Sequence, residues 1–119
     1  MALEVGYNKR KYLYDNYLNQ INGIKFTYRE IDIITCILHN RGEKKIAALL
    51  SISTRTVNTH VHNITLKISH GSRESIIDFV ETSGKLKFIK QYYLHILIKF
   101  SFEKQLVHIS KTINRNKIK

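Results

Sequence analysis

Between residues 28 and 82, apolar residues recur at spacings of three and four, which is the period of an amphipathic α-helix. The clearest case is the stretch SISTRTVNTHVHNITLKI at 51–68. Its aliphatic stripe consists of Val57, Val61, Ile64 and Ile68. The other sides hold amides, hydroxyls, imidazoles and basic groups, and the stretch contains no acidic residue. We therefore expect a helix from about 54 to 68 that buries one side and presents a polar side to solvent.

Helix start and stop signals predict three further helices around this one. Thr27 and Glu30, three residues apart before an apolar run, form a capping box. Ala47 and Ala48 are small enough to let two helices cross closely, and Ser53 is well placed as an N-cap. The four predicted helices cover about 27–39, 43–50, 54–68 and 73–82. A three-residue turn between the second and third is typical of a helix-turn-helix unit.

Helical extensions are predicted on both sides of this region. In the first, a stripe of Tyr7, Tyr14, Leu18 and Ile21 predicts a short helix, which Asn22–Gly23 is expected to end. In the second, residues 85–113 carry two helical stripes. The first consists of Leu86, Ile89, Tyr93, Ile96 and Phe100, and the second of Phe102, Leu106, Ile109 and Ile113. We predict an N-terminal helical extension over 1–25, a helical domain over 26–84, and over 85–119 a basic amphipathic extension or the start of a further domain.

Composition favours an all-α fold with one small core. The chain has 119 residues, of which 43% are hydrophobic, and it contains no Pro and only five Gly. These turn signals are too few for a many-stranded β architecture. The single cysteine, Cys36, lies among isoleucines and is expected to be a buried structural thiol. A lone cysteine forms no intrachain disulfide, which fits a reducing compartment.

The sequence lacks the patterns of several function classes. It has no Gly-rich phosphate loop and no nucleophile motif, so we expect neither an enzyme nor a bound cofactor. His60 and His62 are two positions apart and point to different sides of a helix, so we expect no metal site. The longest apolar-rich run, 91–98, is shorter than the roughly 20 residues that span a bilayer. No signal peptide is visible, and a cytoplasmic location is expected.

The net charge of +11, from 20 Lys plus Arg against 9 Asp plus Glu, favours an anionic partner. The charge is uneven. Residues 27–84 hold seven basic and six acidic residues, a net +1, whereas residues 85–119 hold nine basic and one acidic, a net +8. Three roles stay open for 85–119: packing on the domain, a dimer or partner contact, and a basic amphipathic element that binds a membrane or DNA.

Residues 26–82 resemble the LuxR-type (GerE-type) helix-turn-helix domain of bacterial transcription regulators. The matching elements are Thr27-x-Arg29-Glu30, Ile46-Ala47-x-x-Leu50, Ile52-Ser53-x-Arg55-Thr56-Val57-x-x-His60, Ile64-x-x-Lys67 and Ser72-Arg73. They occur in the family's order and spacing over all four predicted helices. The resemblance therefore implies a four-helix LuxR-like domain, with short helical extensions before and after it.

The resemblance also implies that the third helix enters the major groove of double-stranded DNA. By this resemblance, the residues expected to meet bases are Asn58, Thr59 and His62. Those expected near phosphates are Arg55, Thr56 and Lys67, with Lys44 and Lys45 on the second helix. A helix in the groove needs amides, hydroxyls and basic groups, whereas carboxylates would be repelled by the phosphates. This requirement explains why 51–68 contains no acidic residue.

The chain departs from the family at two exposed recognition positions. Asn58 and His62 stand where many relatives carry Lys or Arg. Residues 41–68 hold five basic residues and one acidic residue, a net +4. Fewer phosphate contacts predict weaker binding with a shallower dependence on salt.

Two functions fit these observations. The first is sequence-specific DNA binding by a transcription regulator. It would form a homodimer through about 73–82, aided by 85–113, with RNA polymerase or a separate sensor protein as further partners. The alternative is a protein-interaction or oligomerisation module that keeps the fold without specific DNA readout.

Overall fold

The computed structural model describes residues 9–69 and 71–118. Most of these residues lie in five α-helices. In chain order they are α1 (Tyr28–Leu38), α2 (Glu43–Leu50), α3 (Thr54–Ile68), α4 (Arg73–Glu81) and α5 (Leu86–Ile118). A helical segment at 9–18, which ends in a π-helical turn, precedes two short strands and α1. The all-α prediction is confirmed, and α1 to α4 occupy the predicted stretches of the chain.

The helix starts follow the predicted capping signals. Thr27 Oγ1 accepts a hydrogen bond from the Glu30 N–H at 3.0 Å, and Glu30 Oε1 accepts one from the Thr27 N–H at 2.8 Å, which completes the capping box. Ser53 caps α3 by accepting from the Thr56 N–H at 3.1 Å, and Ser72 caps α4 in the same way. Each cap satisfies a backbone donor that the helix leaves unpaired.

Asn22–Gly23 forms a hairpin turn, which corrects the prediction that this pair ends a helix. The helical segment already ends at residue 18, and β1 (Gln20–Ile21) pairs antiparallel with β2 (Ile24–Lys25). Asn22 and Gly23 both have positive φ, +50° and +83°. A two-residue hairpin loop of type I′ requires positive φ at both central residues, and Asn-Gly adopts it at low cost. The predicted stripe position Tyr7 lies outside the described residues.

Helix α1 lies at the centre of the core. Its residues 30–37 are all buried, because α3, α4, α5 and the N-terminal segment all pack around it. The first stripe of α5 joins this core, with Ile89, Tyr93 and Ile96 buried. The Phe88 ring stacks on the Tyr17 ring with centroids 4.1 Å apart, which ties α5 to the N-terminal segment. The two extensions therefore share one hydrophobic core with the helix-turn-helix region as far as about residue 100.

A buried polar cluster joins the N-terminal segment, α1 and α5. Arg10 Nε donates to the Tyr28 hydroxyl at 2.7 Å, and the Tyr92 hydroxyl donates to Asp32 Oδ1 at 2.5 Å. Arg29 Nη1 donates to the other oxygen of Asp32 at 3.1 Å. Burial raises the pKa of Asp32, and the nearby Arg10 charge opposes that rise. The buried charges of Arg10 and Asp32 are both hydrogen-bonded within the cluster, as burial of a charge requires.

The prediction of a buried structural thiol is confirmed. Cys36 is fully buried on α1 and free of any disulfide. Burial raises the pKa of its thiol to about 12, so the side chain stays protonated at neutral pH.

Candidate nucleic-acid interface

Helices α2 and α3 form a helix-turn-helix unit whose turn is built from residues 51–53. Ser51 ends α2 in the left-handed conformation, with φ +56°, and the side chain of Ile52 packs against the core. On α3, Val57 and Ile64 are fully buried, and they fix the side of the helix that faces the domain. The opposite side of α3 is therefore presented to solvent along its length.

Four of the predicted site residues share this outward side. Arg55, Asn58, Thr59 and His62 are all exposed and lie at spacings of three, one and three along α3, and we call them the α3 outer face. The face carries one cation, two side chains with both a donor and an acceptor, and one imidazole. No carboxylate occurs on α3, so nothing on the helix would repel a phosphate.

The remaining predicted residues other than Lys67 lie in the first turns of α2 and α3. Thr56 is half-buried, and its hydroxyl lies 2.9 Å from Ser53 Oγ, so it belongs to the cap of α3. Lys44 and Lys45 are exposed in the first turn of α2. The Lys45 ammonium lies 5.4 Å from the centroid of the Phe100 ring on α5. The first turn of α3 adds backbone N–H groups, which favour anions.

The structure gives Lys67 a different environment from the other predicted site residues. Its ammonium donates to Glu30 Oε1 at 2.6 Å and to the Lys25 carbonyl at 3.1 Å, and it lies 5.5 Å from the centroid of the Phe26 ring. Glu30 is buried within the α1 capping box. Lys67 therefore fastens the end of α3 to the start of α1, on the flank of the helix and away from Arg55.

Leu66, which is not among the predicted site residues, extends the outer face on the same side of α3. It continues the line of Arg55, Thr59 and His62 at spacings of four, three and four, and its side chain is 64% exposed. Its helical spacing from Arg55, Thr59 and His62 is the signal that could have found it. An apolar group at this position can contact a thymine methyl.

Other site types receive no support from the described part of the chain. Across residues 9–69 and 71–118, no cluster of three or more His, Cys, Asp or Glu side chains is placed to hold a metal ion. Within the same residues, no helix combines the length and apolar character needed to cross a membrane.

Comparison with known proteins agrees with this geometry. Residues 25–80 match the GerE family model, described as bacterial regulatory proteins, luxR family. A 49-residue segment is 43% identical to an uncharacterized transcriptional regulatory protein, YhcZ, of Bacillus subtilis (strain 168). That match covers 41% of this chain but only 23% of the relative. No solved structure matches significantly. The family match covers α1 to α3 and most of α4, and it leaves α5 outside.

Proposed function

The chain carries a luxR-family helix-turn-helix domain over residues 25–80, and we propose that it regulates transcription by binding a specific sequence of double-stranded DNA. In this proposal, α3 enters the major groove. The main support for this proposal is the α3 outer face, which is polar and lacks carboxylates, while the other side of the helix is buried in the core. The chain acts by binding and not by catalysis.

Within the groove, the outer-face residues have distinct roles. Asn58 can pair with the donor and acceptor edge of adenine, and the His62 imidazole can donate or accept. The Thr59 hydroxyl donates to the Arg55 carbonyl at 3.1 Å, which leaves its oxygen as an acceptor. Leu66 supplies an apolar contact for a thymine methyl. The preferred site therefore contains A·T pairs.

Phosphate binding falls to a small set of groups. Arg55 belongs to the outer face, Lys44 and Lys45 lie in the first turn of α2, and the first turn of α3 adds backbone N–H groups. We assign Lys67 to the fold because its charge is paired with Glu30. Few phosphate contacts imply a shallow dependence of affinity on salt.

The regulator binds as a homodimer to a site with two-fold symmetry, and RNA polymerase or a separate sensor protein completes its control. A two-fold dimer contacts two half-sites one helical turn apart, which is the usual arrangement for helix-turn-helix proteins. The sequence predicts a dimer contact through about 73–82 aided by 85–113, and the exposed apolar side chains of α5 favour the second segment.

The test is selection from a randomised duplex pool with the full chain. The variant replaces Asn58, Thr59 and His62 with Ala, and its matched control replaces Asn16, Thr82 and His108, which are exposed residues of the same types away from α3. We expect the wild type and the control to enrich the same two-fold symmetric site. We expect the outer-face variant to lose that preference by roughly 100-fold or more, since each good base contact contributes about 1–3 kcal/mol.

Enrichment of the same site by the outer-face variant, with unchanged circular dichroism, would refute the role of α3. A second candidate function is a protein-interaction module on the same fold. It is favoured because Arg55 is the single cation on the outer face, which offers few phosphate contacts. That function predicts that even the wild-type chain enriches no site.

A further inference from the structure

Helix α5 has two apolar sides, and only one of them is used by the core. The inner side carries Ile89, Tyr93 and Ile96, which are buried. The other side carries a row that we call the outer stripe, at spacings of four, four, four, three and four. Its members are Leu94, Ile98, Phe102, Leu106, Ile109 and Ile113.

The outer stripe points away from the domain. Ile96 is buried, and Leu94 and Ile98 each lie two positions from it, which places them on the opposite side of the helix. Apart from the half-buried Phe102, every member of the stripe is exposed. The stripe runs for twenty residues, about 30 Å at the rise of an α-helix. An apolar row of this length is costly to leave in water, so it marks an interaction surface.

The charges around the outer stripe suit a second copy of the same chain. Lys104 lies two positions from both Phe102 and Leu106, and Lys111 lies two positions from both Ile109 and Ile113, so both lysines are on the far side of the helix. One flank of the stripe is neutral, with Ser101, Gln105 and Thr112.

On the other flank, Lys99 Nζ lies 3.8 Å from Glu103 Oε1 in an i,i+4 pair. Both flanks of the described stripe therefore carry no net charge. When the stripe packs against itself, no like charges are forced together at the contact.

Helix α4 offers a much poorer surface for self-association. Its solvent side carries Glu74, Asp78 and Glu81, which are all exposed. No large hydrophobic side chain of α4 belongs to the exposed set among the described residues. In a two-fold contact the same patch meets itself, so three carboxylates would face three carboxylates. This repulsion disfavours the 73–82 contact expected from the sequence.

We propose that the outer stripe of α5 is a homodimer interface, in which two copies of the chain pack their α5 helices against each other. The contact buries the stripe along its length, while the two lysine-bearing sides stay in solvent. This dimer does not depend on DNA recognition, because it uses no residue of the α3 outer face. Its existence is therefore measured without DNA.

The test is sedimentation velocity of the full chain, nuclease-treated and in high salt, over a range of protein concentrations. The variant is Ile109→Lys, and the matched control is Val107→Lys, which adds the same charge at an equally exposed aliphatic residue two positions away. We expect wild type and Val107→Lys to dimerise alike. Ile109→Lys should weaken the dimer by at least about 100-fold, because each dimer loses two apolar contacts and gains two facing charges.

Three results would overturn the proposal. They are a wild-type chain that stays monomeric at every concentration, a dimer that both lysine variants weaken equally, and a dimer that neither of them weakens. A parallel flotation assay uses vesicles of phosphatidylcholine with one-third phosphatidylglycerol. Binding of monomers to those vesicles that Ile109→Lys abolishes and Val107→Lys preserves would make a lipid surface the occupant, and it would also overturn the dimer.

Discussion

Helices α3 and α5 each bury one side in the same core, but they leave opposite kinds of surface in water. The solvent side of α3 is polar, lacks carboxylates and contains a single leucine, Leu66. The solvent side of α5 is an apolar row of six residues, with its lysines on another side. A polar surface that binds in a DNA groove is stabilised when its hydrogen bonds to water are replaced by hydrogen bonds to base edges. An apolar surface is stabilised only when binding removes it from water. The two helices are therefore suited to different partners.

The comparison also separates what the family shares from what belongs to this chain. The family match ends at residue 80, before α5 begins. The first half of α5 nevertheless completes the core that holds α1 and α2 in place. Two helices of the family region therefore pack against a helix that lies outside it.

The largest expected effect is a difference in the free energy of unfolding between substitutions on the inner and outer sides of α5. Ile96 is 1% exposed and Ile98 is 41% exposed, so they form a matched pair on one helix. Ile96→Ala should lower the free energy of unfolding by about 2–5 kcal/mol because it leaves a cavity, whereas Ile98→Ala should cost the monomer less than about 1 kcal/mol. Urea unfolding at a protein concentration that keeps the chain monomeric measures both. Equal losses would contradict the division into inner and outer sides.

A smaller effect is expected where α5 meets the buried polar cluster. Tyr92→Phe removes a donor from the buried Asp32 carboxylate and should cost about 1–3 kcal/mol of stability. Tyr93→Phe is the control, because its hydroxyl accepts from the exposed Arg41 at 2.8 Å, and water can replace it at a cost of about 0.5 kcal/mol. Thermal or urea unfolding should rank the two variants in this order. The reverse order would mean that the cluster contributes little.

Substitutions of the two α3 cations, Arg55 and Lys67, should distinguish an effect on DNA affinity from an effect on stability. Arg55→Ala should leave stability unchanged and reduce the slope of log K against log salt by about one. Lys67→Met keeps the apolar stem but removes the charge that pairs with Glu30, and it should lower stability by about 1–2 kcal/mol while the salt slope stays the same. The measurements are urea unfolding and a salt titration on the selected DNA site. A reduced slope of log K against log salt for Lys67→Met would show that Lys67 contacts a phosphate.

The smallest effect concerns His95 on α5. Its Nδ1 is buried without a hydrogen-bond partner, and burial, followed by the charges of Lys9 and Arg10, lowers its pKa. The unfolded chain therefore binds the proton more readily, and stability should fall as the pH drops through and below the ordinary histidine pKa of about 6.5. His95→Gln should flatten this fall, as urea midpoints at neutral and mildly acidic pH would show. Parallel curves for the two proteins would remove His95 as the cause.

Local signals were enough to predict much of this fold. The capping box at Thr27 and Glu30 and the cap at Ser53 involve residues three positions apart, and each appears in the structure as predicted. The apolar spacings gave α2 and α3 at the residues where they lie. Short-range patterns succeed here because each one is satisfied by its own backbone turn.

The misses all involve contacts between distant parts of the chain, or a residue pair with two possible uses. Asn22–Gly23 suits both a helix end and a hairpin, and only the pairing of Ile21 with Ile24 decides between them. Lys67 is a different case: local patterns did not reveal its ion pair with Glu30, which lies 37 positions away in sequence, and its predicted phosphate contact stays a prediction. The second stripe of α5 was visible in the sequence, but periodicity alone does not tell a buried side from an exposed one.

The burial of Cys36 gives the native protein a practical property. Cys36 is the only cysteine and is fully buried, and burial raises the pKa of its thiol to about 12. The folded chain therefore presents no reactive thiolate to reagents in solution. Its rate of modification therefore reports how often α1 is exposed by opening of the fold. A cysteine added to the surface of α5 would be the one site that labels quickly. In the proposed dimer, spin or fluorescent probes placed there would report the distance between the two copies without any change to Cys36.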